Sequence, residues 1–196
     1  MTALHRVTWV DHAWETLDSS EPFHPLYIPI DRQGQGRFDN PHLYAALYVA
    51  TTEQGAVGET FGNLSRWPAA EIERTKDGRP RCLVRYEIPD DAIIRDLDDP
   101  QVLTNLGIRP SDVVRRNRDH TQEIANSVWR TRAGTAVRGF SWWSYWRPEW
   151  TMVMLWSDGL GHPYFPSLTV TQVDALTVSH QAVQVAADVL PRELEP

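Results

Sequence analysis

Residues 35–59 read QGRFDNPHLYAALYVATTEQGAVGE, and three kinds of local structure follow one another within them. Gly34 and Gly36 make the segment Asp31–Arg37 a loop that turns sharply or lets a ligand approach the backbone. Ala46-Leu47-Tyr48-Val49-Ala50 is a short apolar run suited to a buried strand. Thr51 and Gln54 have the spacing of a capping box, so a helix is expected to begin at Thr51 and to stop near Gly62. Gly55 and Gly58 inside that helix each cost about 1 kcal/mol relative to alanine, which makes sense where a neighbour packs very close. Loop, strand and helix then carry Arg37, Tyr48 and Glu59 respectively.

Working outward, Leu4–Val10 alternates as a first strand, with Arg6 on the face of Leu4, Thr8 and Val10. A connection containing Pro22, Pro25 and Pro29 leads to the glycine loop. Further strands are expected at Arg81–Ile88, Ile93–Leu97, Val137–Trp142, Thr151–Trp156 and Leu168–Val178. Residues 98–114 read as short helix and loop broken by Gly107 and Pro110. Asp119–Ala133 has Ile124, Ala125, Val128 and Trp129 on one face and reads as the best-defined helix, ended by Gly134. Gln181–Val189 is a shorter one, and residues 191–196 read as a flexible charged tail. Strands and helices do not alternate regularly, so the class is α+β: one compact domain over residues 1–190, with mixed sheets and peripheral helices.

The bulk composition narrows the function classes. At 196 residues the chain can bury a core without staples. Its single cysteine, Cys82, rules out an intramolecular disulfide and a cysteine-rich zinc site and fits a reducing, cytoplasmic setting. No basic segment followed by an apolar core opens the chain, and no run is long enough to span a membrane, so neither a signal peptide nor a membrane anchor is expected. A net charge of −7 argues against direct nucleic-acid binding. There is no GxGxxG after a strand, no P-loop and no HExxH, and the seven histidines are scattered, so no metal site is expected. A homo-oligomer is compatible with all of this.

Three segments together resemble the RES domain family, named for Arg, Glu and Ser. They are HRVTWV around Arg6, GRFDN…LYVATTEQGAVGE with eleven positions from Tyr48 to Glu59, and VRGFSWWSYWRPEWTMVMLW with five from Gly139 to Ser144. The resemblance covers about residues 4–157. It implies a fold similar to ADP-ribosyltransferase toxins and action on NAD, by degradation or by transfer of ADP-ribose. It also implies a toxin neutralised by a separate helix-turn-helix antitoxin. A non-catalytic nucleotide- or protein-binding module on the same fold is the rival reading.

The residue types suit that chemistry. Breaking the nicotinamide–ribose bond builds positive charge on the sugar, as in glycoside hydrolysis, and a carboxylate such as Glu59 stabilises it. Arg6 and Arg37 are candidates to bind the pyrophosphate, with Arg32 in the same loop as a substitute. Tyr48 offers a ring to stack and a hydroxyl. Ser144, or its neighbour Ser141, would position substrate; no Ser-His-Asp arrangement makes either a nucleophile. The expected catalytic set is Glu59, Tyr48 and Ser144, and the substrate-binding set Arg6, Arg37, Tyr48 and Ser144. Trp142, Trp143 and Trp146 are divided between pocket wall and core.

Overall fold

The computed structural model describes residues 1–115, 117–132, 136–157, 165 and 167–195. In chain order the strands are β1 (Thr2–Trp9), β2 (Ala46–Ala50), β3 (Arg66–Pro68), β4 (Arg81–Ile88), β5 (Ile93–Asp96), β6 (Val137–Trp143), β7 (Thr151–Trp156), β8 (Thr169–Ala175) and β9 (Glu193–Glu195). The helices are α1 (Glu53–Phe61), α2 (Ala69–Ile72), α3 (Pro100–Leu106), α4 (Pro110–Val113), α5 (Arg118–Arg130) and α6 (Gln181–Val189). Seven strands form one mixed sheet in the order β5-β6-β7-β2-β1-β4-β8, parallel at β5–β6 and antiparallel elsewhere. The class is the α+β one expected, a large mixed sheet with peripheral helices.

Alternation in the strands divides the core in two. Leu47, Val49, Val84, Tyr86, Val153 and Leu155 point to one face, where Leu26, Ile28 and Phe165 cover them. Ala46, Ala50, Leu83, Met152, Met154 and Trp156 point to the other, which is covered by residues of α1, α5 and α6. The longest described helix, α5, buries Ile124, Ala125, Val128 and Trp129, the stripe expected of it, and Thr121 one turn earlier as well. Helix α1 comes close enough to Trp150 that a Cβ on Gly58 would lie 2.1 Å from the indole ring, so only glycine fits there.

Two local expectations are corrected, and a third falls outside the described residues. The cap of α1 is Thr52, one residue later than expected: its hydroxyl accepts from the Gly55 N–H at 3.1 Å. Thr51 is instead drawn to β7, donating its N–H to the Thr151 carbonyl at 3.0 Å. The tail expected to be flexible contains β9, which runs parallel to β3 in a small second sheet, with Arg66 opposite Glu193. Gly134, the expected stop of α5, and Ala133 lie outside the described residues, and the helix is described as far as Arg130. Among the described residues no helix is long and apolar enough to cross a membrane.

Candidate active site

Strand β1 stays in register with β4 from Thr2 opposite Ile88 to Trp9 opposite Arg81, but it meets β2 at one pair, His5 opposite Ala50. Beyond that pair the two strands part. The side chain of Gln33 enters the opening. Its carbonyl accepts from the Ala46 N–H at 2.8 Å, and its NH2 donates to the Ala46 carbonyl at 3.4 Å. The amide thus fills the place of a neighbouring strand. The Ala45 carbonyl points the opposite way, toward Ser157. By the strand's two-residue period the N–H and C=O of Tyr48 therefore face the gap.

A cavity of about 330 Å³ occupies this split, and His5, Arg6, Arg37, Tyr48, Glu59 and Trp142 are among its lining residues. Arg6 and Arg37 thus face the same space despite their separation in sequence. So do Arg37, Tyr48 and Glu59, brought together from the loop, β2 and α1.

Glu59 is held from below. The Ser144 hydroxyl donates to its Oε1 at 2.5 Å and accepts from the Trp146 N–H at 3.0 Å. The Ser144 N–H donates to the Trp150 carbonyl at 2.8 Å, closing the turn after β6. Burial pushes the Glu59 carboxyl above its ordinary value, while the Ser144 donor and the Arg37 charge pull it back down. Ser144 is 1% exposed and does not line the cavity; it is joined to the cavity through its bond to Glu59. Ser141, the alternative, donates to Asp96 at 3.0 Å and faces a different cavity, shared with Leu4 and Val153.

The two arginines are held differently. Arg37 donates through Nη2 to the carbonyls of Val113, at 2.5 Å, and Arg115, at 3.4 Å, and its guanidinium lies 5.1 Å from the Phe38 ring centre. Part of its donor capacity therefore goes to anchoring it at the C-terminal end of α4. Arg6 has a buried Nη1 without a hydrogen-bond partner among the described residues. Its guanidinium sits beside the Tyr86 hydroxyl; burial raises that phenol to about 12, and Arg6 partly opposes the rise. A buried, unsatisfied donor on a cavity wall is a strong feature of a ligand site.

Tyr48 departs from its expected use. Its hydroxyl donates to Asp39 Oδ1 at 2.6 Å and accepts from the Phe38 N–H at 3.0 Å, so the polar handle is engaged within the protein. Burial and the Asp39 charge raise its pKa well above the ordinary phenol value. What Tyr48 presents to the cavity is ring and backbone, the ring lying edge-on to Trp142 at 6.3 Å.

Three contributors were not anticipated. Asp39, 3% exposed, accepts from the N–H groups of Gly34 and Gly36 at 2.9 and 2.8 Å as well as from Tyr48. A Cβ on Gly36 would lie 2.5 Å from Asp39 Oδ1 and 2.6 Å from the Tyr48 hydroxyl, which is why glycine precedes Arg37. An aspartate just after a glycine turn is a sequence signal for such backbone capture. Gln33 and His5 carried no signal. His5 is 6% exposed, and burial lowers its pKa below the ordinary imidazole value. Of the tryptophans, Trp142 lines the cavity, while Trp143 and Trp146 pack against the core. Arg32 stands at the rim of an adjoining cavity. Among the described residues no group of three or more His, Cys, Asp or Glu side chains is placed to hold a metal ion.

The split sheet thus places a carboxylate and two guanidinium groups around one cavity. Comparison with known proteins then gives the family. The RES domain model matches residues 3–174, and the chain belongs to that family. A search of curated proteins found no match. Among solved structures, a chain of the M. tuberculosis MbcT–MbcA toxin–antitoxin complex superposes with a TM-score of 0.59 at 16% sequence identity, covering 96% of this chain and 88% of that one. At that identity the likeness is one of fold.

Proposed function

We propose that this RES-domain protein cleaves the bond between nicotinamide and ribose in NAD and is the toxin of a toxin–antitoxin pair. The observation that carries this reading is the single cavity in which Glu59, braced by Ser144, faces Arg6 and Arg37. As the C–N bond breaks, its electron pair leaves with neutral nicotinamide and positive charge grows on the ribose. The Glu59 carboxylate stands against that charge. Arg6, with an unsatisfied buried donor, and Arg37 bind the pyrophosphate. Tyr48 stacks through its ring and shapes the Arg37 loop through its hydroxyl. Ser144 is a positioning residue. The new bond at the ribose carbon forms to water, inorganic phosphate or a protein side chain.

The test is free nicotinamide. Purified protein incubated with NAD should release it, with the phosphate dependence or the labelling of lysate proteins identifying the acceptor. NAD binding without release would favour a non-catalytic binding module and overturn the reading. The toxin half rests on the family and on the toxin–antitoxin complex that shares the fold. It calls for a separate antitoxin in the cytoplasm that covers the cavity. Expression alone should arrest growth, and co-expression with the product of a neighbouring gene should relieve the arrest. Harmless solo expression would count against a toxin.

A further inference from the structure

The cavity between β1 and β2 has two ends. Arg6, Val7, Gly36, Tyr48 and Thr60 also line a second, larger cavity of about 560 Å³, so they mark the open end. His5, Val49, Ala50, Ala56 and Met152 line the first cavity and not the second. They mark the closed end, where β1 and β2 make their single pair, His5 opposite Ala50. Glu59 is likewise unshared and lies one turn along α1 from Ala56. Around that closed end the His5 ring is the polar group among apolar side chains.

The chemistry described above makes no use of His5. Its side chain is 6% exposed, and its Nδ1 is buried without a hydrogen-bond partner among the described residues. A buried N–H is left without a partner more rarely than a buried acceptor. The lone pair therefore belongs on Nδ1 and the proton of the neutral ring on Nε2. Nε2 is then the nitrogen that meets the cavity, and it meets it as a donor. Arg85 stands opposite His5 on β4, and the charge of Glu53 reaches it from the first turn of α1. Burial lowers the His5 pKa, Glu53 opposes the fall and Arg85 adds to it, so the ring is neutral at neutral pH.

A neutral donor among apolar walls suits a neutral acceptor on a flat, largely apolar ligand group. With the pyrophosphate at Arg6 and the ribose beside Glu59, the departing base comes to the closed end. We infer that His5 is a further catalytic residue, whose Nε2–H donates to the exocyclic carbonyl oxygen of the leaving nicotinamide. No proton is transferred. While its ring nitrogen is bonded to ribose the base is a pyridinium, which draws electron density from the carbonyl. As the C–N electron pair passes to the ring, the oxygen becomes a better acceptor. The bond from His5 is therefore stronger in the transition state than in the bound substrate. The identity of the base rests on the function proposed above.

The experiment tests residue and substrate group together. Three dinucleotides are compared: NAD, its 3-acetylpyridine analogue, which keeps the carbonyl and lacks the amide nitrogen, and its pyridine analogue, which lacks both. His5→Ala should lower kcat at least about tenfold for the first two and less than about twofold for the third, with KM little changed. His5→Gln, which keeps an N–H donor, should recover much of the loss. Equal losses for all three substrates, or full kcat in folded His5→Ala, overturn the assignment. A second measurement needs neither turnover nor a variant that folds. In wild-type protein with ¹⁵N-labelled histidine, the His5 Nε2–H resonance should shift with nicotinamide and stay in place with pyridine; a resonance that nicotinamide does not move overturns the inference. That selective shift in a protein that releases no base from NAD would keep His5 as the donor to the ligand and remove the cleavage reaction.

Discussion

The two edges of β1 behave differently. Toward β4 it forms eight consecutive residue pairs; toward β2 it forms one. The closed edge brings together Leu4, Val84 and Tyr86, packed in a core with little polar chemistry. The open edge exposes Arg6 and the backbone of Tyr48 to a cavity, and the polar side chains Gln33, Asp39, Ser144 and Glu59 hold its shape. A sheet gains stability from each completed ladder, and here the cavity lies where one is left incomplete. The cost of the gap is limited by side chains that stand in for the missing strand.

The largest effect expected from disturbing the open edge is chemical. Glu59→Gln keeps an acceptor for Ser144 but removes the charge. Nicotinamide release should fall at least about a hundredfold, on the order of 3 kcal/mol, with a smaller loss of NAD affinity. The same change should leave stability at neutral pH equal or higher. Burial raises the carboxyl's pKa in the folded state, so the stability it contributes is present below the ordinary value of 4.5 and is lost as pH rises through the folded value. Thermal melts of both proteins at pH 7 and pH 4 check the sign. Activity, which needs the carboxylate, should show an acid limb displaced upward from 4.5. Near-normal release by folded Glu59→Gln would reduce the contrast between the two edges to one of packing.

Next is the helix that roofs the opening. Gly58→Ala places a methyl within 2.1 Å of the Trp150 ring, a buried group that cannot yield far. The variant should lose about 1–3 kcal/mol in denaturant unfolding. It should also displace Glu59, the next residue, so release should drop as well. A smaller and more selective effect is expected at Asp39. Asp39→Ala leaves the Gly34 and Gly36 N–H groups and the Tyr48 hydroxyl without their shared acceptor. The Arg37 loop loosens, and KM for NAD should rise about tenfold with kcat changed far less, equivalent to about 1.4 kcal/mol of binding. Equal losses in kcat and KM would mean that Asp39 supports the whole site rather than the loop.

The strands and helices were much more legible in the sequence than the side-chain contacts around the open edge. Apolar runs bounded by turns place β2, β4, β7 and α6 at the residues expected, because their burial is decided locally by periodicity. Helix α1 begins one residue late because Thr51 is claimed by the Thr151 carbonyl across the sheet, a contact local capping rules cannot foresee. The β3–β9 pair joins Arg66 to Glu193 through three residues each and includes Pro68, too short and too distant in sequence to leave a pattern. That Arg6, Arg37, Tyr48 and Glu59 would share one cavity was readable, but their hydrogen-bond partners were not. Spacing gives no hint that the Tyr48 hydroxyl is engaged by Asp39, or that part of Arg37 is spent on the Val113 and Arg115 carbonyls. Nor does it show that Ser144 is joined to the cavity only through Glu59.

The smallest predicted effect tests the stand-in strand directly. Gln33 gives Ala46 one donor and one acceptor, the service a paired residue would perform, and Ala46 is 3% exposed. Gln33→Ala removes both bonds at once and opens the site to water, which can replace them in part. The net loss should be about 1 kcal/mol. Amide exchange should be more sensitive than melting: the Ala46 N–H should lose protection while the Val84 N–H, in the β1–β4 ladder, keeps its own. Gln33→Glu separates the roles, since a carboxylate still accepts from the Ala46 N–H but repels the carbonyl. Its Ala46 protection should fall between wild type and Gln33→Ala. If Ala46 exchanges equally slowly in all three proteins, the backbone at the open edge is held by the β2–β7 ladder alone, and Gln33 belongs to the wall of the second cavity rather than to the sheet.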